Sequence, residues 1–218
     1  KHYLIAHKIA IEKLEPKDEI IVLNSIAILY YKEKDYKKAE SYFEKAYEIA
    51  FKNNDSKNLP LYAANVASIA AATGNSQKAE SFLKISSKDL KEPDVNYYVA
   101  QTIRAKILWL KNQKSQAINL SLNELPKLNS PENHPAKIGF LKMVSEIYME
   151  EKNFSKAIHY AELVGNDPFS GIHEKFDSYQ LLANIYSESN HLKKALGYKD
   201  SMMWAKDSVQ KIKNGQLY

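Results

Sequence analysis

The chain has 218 residues, a formal net charge of +5 at pH 7 and a hydrophobic fraction of 44%, which is enough for a packed core. It contains no cysteine, which excludes a disulfide framework and any cysteine-based metal or redox site. No apolar run approaches the roughly 18 residues of a membrane span, and the 6 glycines and 7 prolines are few enough to favour helices over sheets.

The positive charge does not indicate a nucleic-acid interface. Arg104 is the only arginine among the 31 basic residues, and the lysines are interleaved with 26 acidic residues. Base readout and bidentate phosphate contacts depend mainly on arginine. The composition therefore favours a solvated, lysine-rich surface and predicts no nucleic-acid binding by this region.

In chain order, the first predicted element is a helix over residues 2–14, which is closed by Pro16. A repeated pair of small residues begins after it, and the members of each pair stand twelve residues apart. Successive copies are offset by 40, 38, 40 and 38 residues. The five pairs are Ala27/Ala39, Ala67/Ala79, Ala105/Ala117, Ser145/Ala157 and Ala183/Ala195.

Each pair predicts a helical hairpin. Apolar residues three and four positions from each small residue form one stripe per helix, and the small residues let two helix axes approach closely. A short polar turn separates the halves and ends in a residue that could cap the second helix: Asp35, Asn75, Gln113, Asn153 or His191. Asp and Asn cap well, whereas Gln and His cap poorly. Gly74 suits a left-handed helix terminus.

The five hairpins are predicted at 18–53, 58–88, 94–126, 132–165 and 172–205. Residues 1–16 would be the second helix of a truncated hairpin, and residues 206–218 a C-terminal helix extension. Because a single hairpin leaves an apolar face exposed, the hairpins must stack on one another. No linker is long enough to divide the chain, so residues 1–218 are predicted to form one domain.

The repeating unit resembles the tetratricopeptide (TPR) repeat, which places a small residue in its first helix and alanine twelve residues later. The run ILYYKEKDYKKAESYFEKA matches the family pattern best, and the third copy departs most, with Arg104 at an aliphatic position and Ser121 at an aromatic one. The resemblance implies an all-α, right-handed α-solenoid of antiparallel helical hairpins, here with repeats of 38–40 residues. It also implies a binding scaffold and does not identify the partner.

No catalytic or cofactor-binding pattern is present: there is no phosphate loop, HExxH motif, nucleophile elbow or metal-ligand spacing. No two of the six histidines are four residues apart, and His134 and His173 are assigned to links between helices. Glu146 and Glu150 share a helix face, which we interpret as solvated. The chain is therefore predicted not to be an enzyme and to need no cofactor or metal.

The resemblance places the first helix of each hairpin on a concave surface that binds a protein or a peptide. The predicted groove residues are Asn24, Ile28, Tyr31, Asn65, Ser68, Thr102, Lys106, Trp109, Lys142, Glu146, Gln180 and Asn184. Trp109 could instead pack against a neighbouring hairpin, and the groove could be solvated while binding uses another face. The Lys/Asn/Arg clamp with which related domains bind carboxylate tails is missing, since only Asn65 matches it.

The chain end suggests a more specific role. The segment Lys206–Asp207–Ser208 resembles the last repeat helix of TPR sensor regions in bacterial membrane histidine kinases and transcriptional regulators. That resemblance implies a periplasmic sensor region, with the membrane span lying outside this chain. An ordinary polar helix end explains the segment equally well. The alternative is a free-standing or intracellular adaptor, or a peptide-responsive regulator, in the cytoplasm.

Overall fold

The computed structural model describes residues 15–88 and 90–213, and these residues contain ten α-helices and no strand. The helices are α1 Pro16–Lys32, α2 Tyr36–Lys52, α3 Leu59–Ala72, α4 Ser76–Ser86, α5 Val95–Leu110, α6 Lys114–Glu124, α7 His134–Glu150, α8 Phe154–Asn166, α9 Ile172–Glu188 and α10 Leu192–Lys213. Short 3-10 turns follow α6 at Leu125–Lys127 and precede α7 at Pro131–Asn133. The prediction of an all-α chain of helical hairpins is confirmed. The helix predicted over residues 2–14 lies outside the described residues.

The chain divides into two compact units, Lys1–Asn112 and Gln113–Tyr218. Among the described helices, unit 1 contains α1 to α5 and unit 2 contains α6 to α10. The division falls in the turn between α5 and α6, inside the third predicted hairpin. The prediction of a single domain over residues 1–218 stays a prediction.

Helices α1 and α2 pack as an antiparallel hairpin. Ile20, near the start of α1, shares a buried cluster with Ala50, near the end of α2. Ala27, later in α1, clusters with Ala39, early in α2. The order of contacts along one helix is therefore the reverse of the order along the other.

The second hairpin of unit 1 packs on the first through the same type of contact. Val66 and Ile69 of α3 are fully buried in the cluster that contains Phe43 of α2. Helix α5 then covers the other side of the second hairpin, where Ile103 packs with Ala67. Each helix pair thus buries the apolar stripe that its neighbour leaves open.

In unit 2, serine hydroxyls satisfy carbonyl groups where helices cross. Ser145 Oγ donates a hydrogen bond of 2.8 Å to the Ala157 carbonyl, and Ser178 Oγ donates one of 2.8 Å to the Ala161 carbonyl. Gly165 allows the second crossing to be close, because a Cβ at that position would lie 2.9 Å from Ser178 Oγ. A larger residue at Gly165 would therefore push α8 away from α9.

The small residues of all five repeated pairs are buried, as predicted for the nine alanines. The relative exposure is 2% for Ala183 and Ala195 and zero for the others. The fully buried ones are Ala27, Ala39, Ala67, Ala79, Ala105, Ala117, Ser145 and Ala157. For the four pairs that lie within one unit, burial at these positions follows from the close helix approach that only small side chains permit.

The turn inside each repeat has three residues, and its middle residue has positive φ. Gly74 has φ of 84°, as predicted for a left-handed helix terminus. The other turns use a non-glycine residue with φ between 58° and 62°: Lys34, Asn112, Lys152 and Asn190. The geometry of the turn, more than the residue type, decides this conformation.

Three of the predicted caps are made. Asp35, Asn75 and Asn153 each accept a hydrogen bond from the backbone N–H three residues later. Gln113 makes no such bond, in agreement with its poor capping ability. One local assignment is wrong: His134 is the first residue of α7 and His173 lies in the first turn of α9, so neither is in a link.

In three of the five hairpins, a pair of stacked tyrosines joins the two helices. In each pair, a ring from the first helix stacks on a ring from the second at 5.6–5.8 Å between centroids, and a lysine ammonium lies 4.9–5.0 Å from the centroid of the first ring. The three sets are Tyr30/Tyr42/Lys38, Tyr148/Tyr160/Lys156 and Tyr186/Tyr198/Lys194. These tyrosines stabilise packing, as their positions in the repeat predict.

Candidate functional site

The surface of interest in unit 1 is formed by the first helices α1, α3 and α5. Side chains at i, i+4 and i+7 lie on the same side of a helix. The first-helix surface of unit 1 consists of Asn24, Ile28 and Tyr31 on α1, Leu61, Asn65 and Ser68 on α3, Thr102, Lys106 and Trp109 on α5, and Ile21, one turn before Asn24.

All twelve predicted groove residues lie on first helices, and none of them is buried. Eight belong to unit 1 and four, Lys142, Glu146, Gln180 and Asn184, belong to unit 2. Ile28, Tyr31 and Asn184 are exposed and the others are half-buried. Their exposure makes them accessible, while their part in binding stays a prediction.

Two side-chain amides connect neighbouring hairpins on the first-helix surface of unit 1. Asn65 Nδ2 donates a hydrogen bond of 2.7 Å to Asn24 Oδ1. This bond fixes the orientation of both amides, so that the Nδ2 group of Asn24 and the Oδ1 atom of Asn65 are the remaining donor and acceptor. The pair thus presents a donor beside an acceptor, the same combination that a peptide group offers.

The third helix of this surface contributes a cation on an aromatic ring. The Lys106 ammonium lies 3.7 Å from the centroid of the Trp109 ring, well within the range of a cation–π contact. Thr102 Oγ1 donates its hydrogen bond to the Val99 carbonyl of the same helix, at 2.7 Å. This end of the surface is therefore both positive and aromatic.

Two exposed aliphatic residues on this surface were not predicted. Ile21 is 52% exposed and Leu61 is 48% exposed, although both lie on first helices. Ile21 precedes Asn24 by three residues and Leu61 precedes Asn65 by four, so extending the predicted stripe by one turn would have included them. With Ile28 and Tyr31, four large apolar side chains of the first-helix surface of unit 1 are thus exposed to solvent.

The four predicted groove residues of unit 2 are all polar or charged. Lys142 Nζ of α7 lies 2.6 Å from Asp177 Oδ2 of α9, and both side chains are about one-third exposed. Gln180 and Asn184 continue the polar stripe along α9. Asp177 was not predicted, because its contact with Lys142 joins residues that are 35 positions apart.

A buried carboxylate lies elsewhere in unit 2. The Asp167 side chain is only 2% exposed, and Lys137 Nζ lies 2.6 Å from its Oδ2 atom. Asp167 Oδ1 accepts a hydrogen bond from the Phe169 N–H at 3.1 Å. His134 Nδ1 lies 3.0 Å from the same Oδ1 atom, within ion-pair range but outside hydrogen-bond geometry.

The environment of Asp167 decides its protonation. Burial by itself raises the pKa of this carboxyl group, but the hydrogen bonds from Lys137 and the Phe169 N–H and the charges of Lys137 and His134 lower it more. The net result is a pKa below the usual range of Asp, so the ionised form stabilises the fold near neutral pH. The contacts of Asp167 therefore stabilise the loop that follows α8.

The described residues contain no group of three His, Asp or Glu side chains that could hold a metal ion. None of the helices in residues 15–88 and 90–213 is long and apolar enough to cross a lipid bilayer. The surfaces described above can form hydrogen bonds, apolar contacts and ion pairs, which are the contacts of a binding site.

Comparison with known proteins supports the fold. Residues 18–92 match the model of the tetratricopeptide repeat family. Among curated proteins, none matches this sequence. The family match includes the first two hairpins, and the first of them contains the run that is closest to the TPR pattern in the sequence.

Solved structures of TPR-like repeats are similar over most of the chain. Repeats described as those of a putative kinesin light chain from Podosopora anserina, in a singly substituted form, share 17% identity with a TM-score of 0.55, covering 91% of this chain and 100% of that one. A second structure of such repeats from the same organism gives 17% identity, a TM-score of 0.53, and coverage of 90% and 99%. BtubC (BKLC) from P. vanneervenii shares 16% identity with a TM-score of 0.58, covering 95% and 88%. At these identities the likeness shows the fold alone. The chain therefore has a TPR-like fold, which generally mediates protein–protein interaction and is typically non-enzymatic.

Proposed function

We propose that the chain is a non-enzymatic scaffold that binds a protein or a peptide on the first-helix surface of unit 1. The observation that carries the proposal is the group of large apolar side chains that this surface exposes, with Ile21 and Leu61 about half exposed. Contiguous exposed apolar groups on a folded protein mark interaction sites. A peptide with aliphatic or aromatic side chains on one face would cover them.

The polar groups of the same surface suggest how such a peptide would be oriented. The donor of Asn24 and the acceptor of Asn65 match the C=O and N–H groups of a peptide backbone. The Lys106 ammonium on the Trp109 ring would attract an acidic group next to an apolar side chain. We therefore propose an amphipathic segment with apolar residues and at least one carboxylate.

The test begins with selecting peptides of random sequence on the immobilised chain and measuring their affinities by calorimetry. The double variant Lys106→Ala/Trp109→Ala should lower the affinity of selected peptides at least about tenfold, or about 1.4 kcal/mol. The matched control is Lys193→Ala/Leu196→Ala, which removes a lysine and a large apolar residue three positions apart from an exposed part of α10 and should leave affinity unchanged. Unchanged affinity in a folded Lys106/Trp109 variant would place the site elsewhere.

We also propose that the chain is the sensor or interaction region of a larger bacterial signalling protein. The support is the Lys206–Asp207–Ser208 segment and its place in α10, which continues to Lys213 and is the longest described helix, at 22 residues. In this proposal the region lies in the periplasm. The alternative is a cytoplasmic adaptor or peptide-responsive regulator.

The reading frame beyond Tyr218 separates these alternatives. The sensor proposal expects an apolar span of about 20 residues there. Reporter fusions that are active only outside the cytoplasmic membrane would then be active when joined to this region. A frame without such a span, or a fusion that is active only in the cytoplasm, would favour the adaptor.

A further inference from the structure

Unit 2 contains a cavity of about 360 Å³ that includes none of the predicted groove residues. It lies among the 3-10 turn that follows α6, helices α7 and α8, and the loop after α8. Its lining residues are Leu125, Pro126, Lys137, Leu141, Tyr160, Leu163, Asn166, Asp167 and Pro168. Pockets for small ligands begin at about 300 Å³, so this cavity is large enough for one.

The wall of the cavity is mostly apolar, and one of its residues, Tyr160, packs against a residue outside the wall. Leu141 is only 3% exposed, whereas Leu163 is 38% exposed and therefore stands towards solvent. The Tyr160 ring is stacked on Tyr148 at 5.8 Å between centroids. A cavity of about 150 Å³ with apolar walls can bind benzene, so a cavity of this size accepts a group as large as an indole ring.

The charged residues in the wall offer no free counter-charge to a charged ligand. The two charged lining residues, Lys137 and Asp167, pair with each other at 2.6 Å. The other carboxylate oxygen of Asp167 already accepts the Phe169 N–H. A charged group that entered the cavity would lose part of its hydration without gaining a counter-charge, which is unfavourable.

Two polar groups in the wall can still form hydrogen bonds. Within the part of the chain that the structure describes, neither the Tyr160 hydroxyl nor the Asn166 side-chain amide has a hydrogen-bond partner. A hydroxyl group can donate and accept, and an amide offers both functions. A ligand with one N–H or O–H group on an apolar ring would match this combination.

We propose that the cavity in unit 2 binds an uncharged aromatic group of about the size of indole, carrying one hydrogen-bond donor. This site is separate from the first-helix surface of unit 1, so its failure would leave the proposed function intact. The aromatic group belongs either to a free small molecule or to a tryptophan side chain of a partner protein. Both sources offer the same chemistry to the cavity.

Indole itself is the first probe, measured against the full chain by saturation-transfer NMR. It should bind with a dissociation constant on the order of 1 mM or tighter. Indole-3-acetate and tryptamine carry a negative and a positive charge, and each should bind at least about tenfold more weakly. No detectable indole binding, or equal binding of the charged analogues, would overturn the proposal.

Variants then locate the bound ring. Leu163→Trp should fill the mouth of the cavity and abolish indole binding, and Asn166→Trp, at a second exposed lining position, should do the same. The matched control is Leu192→Trp, the same substitution at a 63% exposed leucine outside the cavity, which should leave binding unchanged. Indole binding that survives in both cavity variants would overturn the assignment to this site.

A capped tripeptide, acetyl-Gly-Trp-Gly-amide, distinguishes the two sources. Tighter binding of the tripeptide than of indole supports the site as one for a partner's tryptophan, because the backbone then contacts the rim. Tighter binding of indole supports the site as one for a free molecule. In either case the Leu163→Trp variant must lose binding, and retention of the tripeptide by that variant would contradict the proposal.

Discussion

Leu61 in unit 1 and Asp177 in unit 2 occupy the same position of the repeat, six residues before the crossing alanines Ala67 and Ala183. Leu61 is about half exposed and belongs to an apolar group, while Asp177 pairs with Lys142. Both crossing alanines are buried. The buried position therefore holds alanine in both units, whereas the solvent-facing position holds an apolar residue in one unit and a charged residue in the other.

The units also differ in how their ion pairs are buried. In unit 1, Lys78 of α4 bridges Glu40 and Glu44 of α2 at 2.5 Å, with side chains about one-quarter to two-fifths exposed. In unit 2, the Asp167 side chain is almost fully buried beside Lys137. Removing a partner from a buried pair leaves a charge without compensation, whereas an exposed pair is replaced by water.

The largest expected effect follows from that difference. Lys137→Met should lower the free energy of unfolding by about 3 kcal/mol, because it leaves the Asp167 charge buried without its main partner. The matched change in unit 1, Lys78→Met, should cost at most about 1 kcal/mol. Urea denaturation of the two variants measures both values. Equal losses would show that the ion pairs of the two units do not differ in this way.

The same pair predicts a dependence on pH. Because the pKa of Asp167 is lowered in the folded state, its stabilising effect is complete above the pKa of an unfolded Asp, about 3.9. The effect is lost as the pH falls through the lower pKa of the folded state. Urea denaturation at a series of acidic pH values should therefore show a larger loss of stability in the unchanged chain than in Asp167→Asn, which lacks the titrating group. An identical acid dependence in the Asn variant would contradict this assignment.

The next effect tests what the units have in common. Ala39→Leu in unit 1 and Ala157→Leu in unit 2 should each cost about 1–3 kcal/mol, because both alanines are fully buried where helices cross. Ala64→Leu, at a half-buried position of α3, is the control and should cost less. Thermal and urea unfolding give the comparison. A large loss in one unit with none in the other would mean that the crossings are not equivalent.

Another substitution gives unit 1 the residue type that unit 2 has at the equivalent position. Leu61→Asp should lower the affinity for selected peptides at least about tenfold, or about 1.4 kcal/mol, because a charge replaces an apolar contact. Stability should change by less than about 0.5 kcal/mol, since the side chain is half exposed. Asp177→Leu serves as the control for affinity. If Leu61→Asp binds as well as the unchanged chain, the apolar group is not the site.

The smallest effect concerns the ion pair on the first helices of unit 2. Asp177→Leu should cost about 0.2–1 kcal/mol, because the pair with Lys142 is partly exposed to solvent. The loss should shrink as salt is added, since salt screens exposed charges. Ile21→Ala in unit 1 is the control and should show no such salt dependence. A loss that does not vary with salt would assign it to packing.

Much of the fold could be predicted from local sequence. The twelve-residue spacing of small residues predicted the hairpins, and the capping ability of Asp35, Asn75 and Asn153 predicted their turns. The left-handed residue was predicted only at Gly74. Lys34 adopts the same conformation without glycine, because the short connection between the two helices requires it.

The candidate site was predicted less completely. Periodicity identifies which side of a helix faces away from the core, and Asn24 on α1 and Trp109 on α5 are half-buried there, while their part in binding stays a prediction. It missed Leu61, because an exposed leucine looks the same in sequence as a buried one. It also gave no indication that Asn65 would pair with Asn24 across two hairpins.

The sequence by itself determined the repeat, the small residues that are buried and the turns inside the hairpins, since each depends on residues within about one hairpin of each other. Only the tertiary structure decided that Lys137 would neutralise Asp167, that Lys142 would pair with Asp177 and that a cavity would remain beside Tyr160. The Lys142–Asp177 contact joins residues 35 positions apart, and the cavity depends on several elements at once. Such distances are fixed by how helices pack, which one helix's pattern of apolar residues does not specify.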